Sequence, residues 1–236
     1  MKIRMKFRKQ GPLKFIGHLD ILRYFQKVMR RADVDICYSE GFSPHQIMSF
    51  AAPLGVGLLS NGEYVDIEVN ETKDSKTMIA RINAANAEGF EVVSYRRLPD
   101  SVKNAMSMVA AADYKVWFKE GYEPEDIEGL FAQLLEFLSQ EKMDIIKKTK
   151  KGEKDMDIKP FIYEYSIEGQ EIFMKLSTGS QTNIKPELVL EAFYHSKGEE
   201  YPVFAFQVER EEVYGDEGDE TFHKFIPLLE YGADIE

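Results

Sequence analysis

Apolar and polar positions alternate in short runs along this chain and then switch to helical spacing. Residues 2–9 alternate Ile3, Met5 and Phe7 with basic residues, which is typical of a half-exposed strand. Residues 18–32 instead place apolar side chains three and four positions apart, as on one face of a helix. These side chains are Leu19, Leu22, Phe25, Val28 and Met29. The pattern therefore predicts a strand followed by a helix.

The same two patterns organise the rest of the first hundred residues. Strands are expected at 46–54, 63–70 and 90–98, and a second helix is expected at 75–89, where a glycine stops it. With the first strand and helix, the order becomes βαββαβ. That order is the ferredoxin-like plan, in which two helices pack on one face of an antiparallel sheet.

A second βαββαβ order follows, with one strand more than the plan requires. The expected elements are strand 113–120, helix 124–140, strands 144–150, 157–169 and 171–177, helix 186–196 and strand 202–214. The segment KKGEKDMD is expected to be a charged loop, and GDEGDE (215–220) an acidic one. The sequence does not indicate where the extra strand lies in the sheet.

We therefore predict the α+β class, with two tandem ferredoxin-like (βαββαβ) halves and helices on one face of each antiparallel sheet. The polar, unpatterned stretch SVKNAMSM separates the halves. The predicted domains are 1–105, and 106–236 with an acidic C-terminal extension.

Composition narrows the class of protein further. Hydrophobic residues make up 44% of the chain, enough to bury a core. No apolar run approaches the roughly 20 residues of a membrane span, and the basic start lacks the apolar region of a signal peptide. Cys37 is the only cysteine, so no intrachain disulfide can form. We expect a cytoplasmic protein with no membrane partner.

Charge is distributed unevenly along the chain. The net charge is −11, which argues against general coating of nucleic acid. Residues 1–31 nevertheless carry ten Lys or Arg residues against one acid, Asp20. This asymmetry predicts a local anion-facing surface on an otherwise acidic body.

Candidate nucleic-acid or anion-binding residues are cations, aromatic rings and small polar groups in or near the basic elements or before the 186–196 helix. Cations bind phosphates, aromatic rings stack on bases, and backbone N–H groups before a helix can hold an anion. The candidates are Arg4, Lys6, Arg8, Lys14, Arg23, Lys27, Arg30, Arg31, Tyr38, Ser39, Gly41, Phe42, Lys150, Lys159, Ser180, Asn183 and Lys185. The alternatives are a solvated basic face, aromatic rings that fill the core, and an ordinary strand-to-helix connection.

His18, Asp20 and His45 are candidate catalytic residues, because imidazole and carboxylate groups transfer protons near neutral pH. Two His and one carboxylate can also hold a metal, but their spacing matches no metal motif. The alternative is a structural or phosphate-binding role. The chain lacks the motifs of iron–sulfur, dinucleotide, zinc-protease and hydrolase sites, so we predict no metal and no cofactor.

Several segments resemble a known bacterial family. They are KFIGHLDILR (14–23), RRA (30–32), YSEGFSPH (38–45), SFAAPL (49–54), GEYVDIE (62–68), KTKKGEKDMDIKP (148–160) and TGSQTNIKPE (178–187). They are similar to the radical SAM-linked family, a domain of unknown function found alone or following a B12-binding radical SAM enzyme in one chain. The resemblance covers about residues 1–205. Gly17 departs from it, since relatives favour Ser there.

The resemblance implies a radical SAM partner and an RNA context, without supplying a reaction. The leading hypothesis is an RNA-binding or substrate-presenting accessory module that works with a separate radical SAM enzyme. One alternative is a metal-independent RNA nuclease that uses His18 or His45, and another is a protein-only adaptor. The sequence leaves the oligomeric state open.

Overall fold

The computed structural model describes residues 1–149, 152–180, 182–219 and 221–236, which contain both helices and strands. The helices in these ranges are α1 (His18–Arg31), α2 (Ser75–Ala85), α3 (Ala105–Met108), α4 (Ile127–Leu138) and α5 (Pro186–Ser196). The strands are β1 (Lys2–Lys9), β2 (Met48–Phe50), β3 (Leu59–Glu68), β4 (Phe90–Arg97), β5 (Val109–Phe118), β6 (Asp144–Thr149), β7 (Gly152–Asp157), β8 (Ile162–Glu168), β9 (Glu171–Ser177), β10 (Phe206–Asp216), β11 (Phe225–Pro227) and β12 (Ala233–Asp234). Short 3-10 helices occur at Gly11–Phe15, Lys159–Phe161 and Leu228–Tyr231. The predicted α+β class is confirmed.

The amphipathic helix α1 forms because its apolar stripe has a sheet to pack on. It begins after Gly17, with Asp20 in the first turn and Arg30 and Arg31 in the last, where each charge complements the helix dipole. Its buried side chains are Ile21, Phe25, Val28 and Met29. They join Ile3, Met5, Phe7, Val65 and Ile67 of the strands in one hydrophobic core.

The first compact unit comprises residues 1–111 and 210–236. Its strands lie in the order β12-β4-β1-β3, and β2 pairs with β3. The β1–β3 and β1–β4 pairs are antiparallel, with Lys2 opposite Glu68 in the first and Arg4 opposite Arg96 in the second. Residues of β10 from Arg210 onward also belong to this unit and lie beside β3. The order β4-β1-β3-β2 with two helices is the predicted ferredoxin-like plan.

The second compact unit comprises residues 112–209. Its strands follow the order β10-β5-β9-β8, with α4 and α5 as the two helices. In chain order these elements again read βαββαβ. Buried side chains of α4 and α5, including Phe131, Leu134, Val189 and Phe193, contribute to its interior.

The extra strand of the second half belongs to a separate hairpin. β6 and β7 form a two-stranded sheet of their own, with Asp144 opposite Asp157. The predicted charged loop KKGEKDMD is therefore wrong for residues 152–157, which form β7. The segment KKGEKDMD contains one apolar residue, Met156, so periodicity gives no signal of a strand there.

The compact units group residues differently from the domains 1–105 and 106–236. Residues 210–236 belong with the first unit, because β11, the last 3-10 helix and β12 return to it. The predicted boundary after residue 105 stays a prediction. In the described parts of the chain, no helix is both long and apolar enough to cross a membrane.

Candidate nucleic-acid interface

The basic face of β1 is occupied by internal ion pairs. Arg4 is fully buried, and its guanidinium donates to both carboxylate oxygens of Asp66, at 2.8 Å from Nε and 2.9 Å from Nη2. Its Nη1 also donates to the carbonyl oxygen of Leu228 at 3.1 Å. Bidentate geometry of this kind binds a carboxylate strongly. The expectation that Arg4 faces RNA is wrong, since the fold itself uses all of this side chain.

Lys6 and Arg8 are also paired. Lys6 Nζ lies 2.7 Å from a carboxylate oxygen of Glu212, whose other oxygen accepts from the Tyr64 hydroxyl at 2.6 Å. Burial, followed by the Glu212 charge, raises the pKa of Tyr64 and keeps its proton in place. Arg8 pairs with Glu91 at 2.9 Å on the surface. β1 therefore offers no row of free cations.

Helix α1 carries the exposed positive charge of this unit. We call Arg23, Lys27, Arg30 and Arg31 the basic stripe, and all four side chains are exposed. Arg23 has only a long contact to Asp20, 3.5 Å, and Arg31 donates to the carbonyl oxygen of Ala85. Lys27 and Arg30 have no partner among the described residues. The half-buried Lys14 lies 5.3 Å from the Phe15 ring. The basic stripe is thus exposed on α1, and its role in binding an anionic partner stays a prediction.

The 38–45 loop is closed by contacts between Ser39 and His45. The Ser39 N–H donates to the carbonyl oxygen of His45 at 2.8 Å, and the His45 N–H donates to Ser39 Oγ at 3.1 Å. Ser39 Oγ also lies 2.8 Å from His45 Nδ1. Near the tip, Gly41 has a φ of 107°, which side chains with a Cβ rarely adopt. These hydrogen bonds brace the loop by holding its two ends together.

The neck of this loop has two faces. Tyr38 and Gln46 form a β-bridge, so that Ser39 and His45 point to the opposite side. Gln46 Nε2 donates to the carbonyl oxygen of Gln26 in α1 at 3.2 Å, and it lies 3.5 Å from the Tyr38 hydroxyl. Tyr38 is 51% exposed, and Gln46 connects it to the backbone of Gln26 in α1.

Phe42 at the loop tip is fully exposed to solvent. A large aromatic ring without contacts is unusual in a folded domain, because burying it would stabilise the fold. Phe15, Leu19 and Val56 are also largely exposed. The alternative that the loop aromatics fill the core is therefore wrong for Phe42.

A pocket of about 340 Å³ lies on the other side of the loop neck. Ser39 and His45 line it from the loop, Met48 from β2, and Lys2 and Glu68 from the sheet. We call it the neck pocket. The sequence analysis missed Lys2 and Glu68 as site residues, since an ordinary alternating strand gives no signal of a pocket above it.

The three candidate catalytic residues are not joined to one another. The His18 ring packs edge-on against Phe50, with 5.3 Å between ring centroids. Asp20 contacts Arg23, and His45 contacts Ser39. No hydrogen bond or ion pair links any two of these candidates. Within the described ranges, no group of three or more His, Cys, Asp or Glu residues could hold a metal ion.

The candidates of the second unit are scattered. Lys159 Nζ donates to the carbonyl oxygen of Leu138 and lies 5.1 Å from the Tyr165 ring, so it stabilises the fold. Ser180, Asn183 and Lys185 are exposed before α5, and Lys185 is its N-cap without a side-chain capping bond. Lys150 lies outside the described residues.

A buried charge cluster in the first unit was also missed by the sequence analysis. Arg210 Nε donates to Glu63 at 3.0 Å, and Arg210 Nη2 donates to the carbonyl oxygen of Ala52 at 2.6 Å. Lys9 is fully buried nearby, and its Nζ has no hydrogen-bond partner in the described part of the chain. Burial lowers the pKa of Lys9; the charge of Glu63 opposes this shift and that of Arg210 adds to it.

The fold and the surface define a mixed α+β protein with a basic helix and a braced, aromatic-tipped loop. Residues 2–186 match the sequence model of a bacterial family described as "Uncharacterized protein conserved in bacteria (DUF2344)". The chain belongs to this family. No curated protein matches the chain.

Two solved structures show distant similarity. One is "Crystal Structure of a Cbf5-Nop10-Gar1 Complex", with 13% identity and a TM-score of 0.42, over 89% of this chain and 48% of that one. The other is "Crystal Structure of an Unknown Protein from Galdieria sulphuraria", with 14% identity and a TM-score of 0.26, over 90% and 98% of the two chains. The chain thus spans about half the length of the first of these matches.

Proposed function

We propose that this protein is an RNA-binding accessory module of the cytoplasm, which presents an RNA or ribosome-associated substrate to a separate radical SAM enzyme. One observation carries the RNA-binding part. The fully exposed Phe42 stands at the tip of a braced loop, and the neck of that loop contacts α1 beside the basic stripe.

This combination suits a single strand better than a duplex. Aromatic rings stack on unpaired bases of any sequence, and adjacent cations follow the phosphate backbone. Tyr38 and Phe42 would supply the stacking surfaces, and Lys27 and Arg30 would supply charges that no acid among the described residues neutralises. The bracing by Ser39 and His45 supports this role, because a fixed loop loses less entropy when RNA binds.

The partner enzyme rests on the family resemblance alone. Relatives of this type occur alone or follow a B12-binding radical SAM enzyme in one chain, so this chain would act beside such an enzyme. On that resemblance, the chemistry would belong to the partner.

The test is the binding of total cellular RNA by the purified protein at about 50 mM and about 200 mM salt, followed by sequencing of the retained RNA. We expect retention of one RNA class at low salt, lowered several-fold by Arg23→Ala plus Lys27→Ala. The control is Lys73→Ala plus Lys76→Ala, which removes the same charge from exposed positions at the start of α2. Retention should survive in the control.

Two results would contradict the proposal. If the wild-type protein retains no RNA at low salt, RNA binding is excluded, and the protein-only adaptor is tested by capture of a radical SAM enzyme. If both double variants lose retention equally, then net charge and not the basic stripe binds the RNA.

The nuclease alternative has weaker support, because His18, Asp20 and His45 do not contact one another. It stays a prediction. Its signature would be RNA cleavage that His18→Ala or His45→Ala abolishes while RNA binding is retained.

A further inference from the structure

The neck pocket has the size and the lining of a small-molecule site. Its volume of about 340 Å³ falls in the range of such sites, which begins near 300 Å³. Met48, Leu98 and Val102 form apolar parts of its lining. A flat, largely apolar ring could lie against these side chains.

The acidic groups of the pocket differ in their availability. Asp66 is fully engaged, since Arg4 donates to both of its oxygens and the Ala105 N–H donates to one of them at 2.7 Å. The Glu68 carboxylate has no ion pair and no side-chain hydrogen bond within the described residues. It is therefore free to accept hydrogen bonds from a ligand.

Two cations border the same pocket without neutralising Glu68. Lys2 lies directly opposite Glu68 in the β1–β3 register, yet its Nζ makes only a long contact, 3.5 Å, to the carbonyl oxygen of Asp100. Lys103 is exposed at the pocket and has no side-chain partner in the described ranges. The site thus combines a free carboxylate, an apolar wall and two ammonium groups.

We propose that the neck pocket binds one unpaired guanine nucleotide of the RNA strand. Guanine presents two adjacent donors, N1–H and N2–H, which a single carboxylate accepts together. Adenine and cytosine present one amino group beside an acceptor nitrogen, and uracil places carbonyl oxygens on both sides of its N–H. Glu68 therefore favours guanine, and Lys2 and Lys103 are positioned for its phosphate.

This inference rests on the proposed function and names what the bound strand contains. The loop neck joins the two sites, because Tyr38 and Gln46 face α1 while Ser39 and His45 line the pocket. A strand that stacks on Tyr38 and Phe42 could therefore place a neighbouring nucleotide in the pocket.

The test compares fluorescent octanucleotides: all uridine, and the same strand with one central guanosine, adenosine or cytidine. We expect the guanosine strand to bind about tenfold more tightly than the uridine strand, as one bidentate base contact provides. Glu68→Gln should reduce this preference to within about twofold, because the amide keeps only one acceptor oxygen. Glu71→Gln, an exposed carboxylate three residues later, is the control and should retain the preference.

The outcomes separate the inference from the proposed function. Wild-type protein that binds all four strands equally, or whose preference survives Glu68→Gln, overturns the guanine pocket and leaves RNA binding intact. A preference for adenosine or cytidine also overturns it. Protein that binds none of the strands overturns the proposed function and the pocket together. Glu68→Gln should not change the melting temperature. An unchanged melting temperature would show that a lost preference for guanosine is not a folding defect.

Discussion

At the scale of single residues, Lys9 is the least expected feature of the first unit. Its side chain is fully buried and its ammonium has no hydrogen-bond partner among the described residues, while Glu63 already has Arg210. A buried cation without such a partner destabilises the folded state. Because burial lowers its pKa from 10.5, the unfolded chain binds a proton at Lys9 more tightly than the folded protein does.

We predict that Lys9→Met raises the free energy of unfolding at about pH 7, by roughly 1 kcal/mol. Between the pKa of Lys9 in the folded protein and its pKa in the unfolded chain, the unfolded wild-type chain holds more protons, so wild-type stability rises with pH. The advantage of the variant should therefore shrink toward about pH 10. Urea unfolding at several pH values measures it. Arg8→Met, an exposed neighbour, is the control and should show a difference that does not depend on pH. A Lys9→Met variant that is less stable throughout would contradict the prediction.

At the scale of residues, the sequence predicted which face of a strand a side chain occupies, but not which side chain it pairs with. The alternation in residues 2–9 correctly separated Ile3 and Met5, which are buried in the core, from Lys6, which is not. It could not show that Asp66 and Glu212 neutralise Arg4 and Lys6, because these acids lie 62 and 206 positions away in the chain. Charge along a strand indicates which face a residue occupies, and only the fold indicates what covers that face.

At the scale of elements, periodicity predicted the helices and strands that pack on a hydrophobic core. Helix α1 and strands β1, β3 and β4 were expected near their observed bounds, because each buries a regular apolar set. The short pieces β11 and β12 were missed, since two or three residues carry no period. Phe42 was selected as a candidate, but its full exposure could not be predicted, because sequence does not distinguish a buried ring from an exposed one.

The close approach of β3 and β10 depends on Gly62. A Cβ at this position would lie 2.5 Å from the carbonyl oxygen of Glu211. We predict that Gly62→Ala lowers the free energy of unfolding by about 2 kcal/mol, because backbone atoms must move apart. Thermal or urea unfolding measures the change. Gly55→Ala is the control: its Cβ would meet Leu58 at 3.6 Å, an ordinary contact, and we expect a change within about 0.5 kcal/mol. Equal losses in both variants would contradict this account.

A substitution in the 38–45 loop should separate an effect on RNA binding from an effect on folding. Phe42→Ala should leave the melting temperature unchanged, because the ring has no packing to lose. It should weaken binding of a uridine octanucleotide about tenfold, the cost of one lost base stack. Fluorescence anisotropy measures the affinity. Phe222→Ala is the matched control, since this ring is also exposed but follows the acidic segment 215–220. Unchanged affinity in Phe42→Ala would exclude stacking at the loop tip.

At the scale of the whole molecule, a chain with a net charge of −11 would repel an RNA strand except at a small basic surface. Not all ten basic residues of the first 31 are available to an anion, because Arg4, Lys6 and Arg8 are ion-paired and Lys9 is buried. What remains is mainly the basic stripe of α1. The charge asymmetry of the sequence therefore overestimated the number of available cations.

The number of available cations determines the salt dependence that we expect for RNA binding. Roughly three phosphate contacts by the basic stripe should give a slope of about −2 for the logarithm of the association constant against that of the salt concentration, since each contact on a single strand contributes about −0.7. Arg23→Ala plus Lys27→Ala should bring the slope to about −1. Lys73→Ala plus Lys76→Ala should leave it unchanged. A wild-type slope near −6 would require about eight contacts, more cations than the exposed face of α1 offers, and would place the RNA on a different surface.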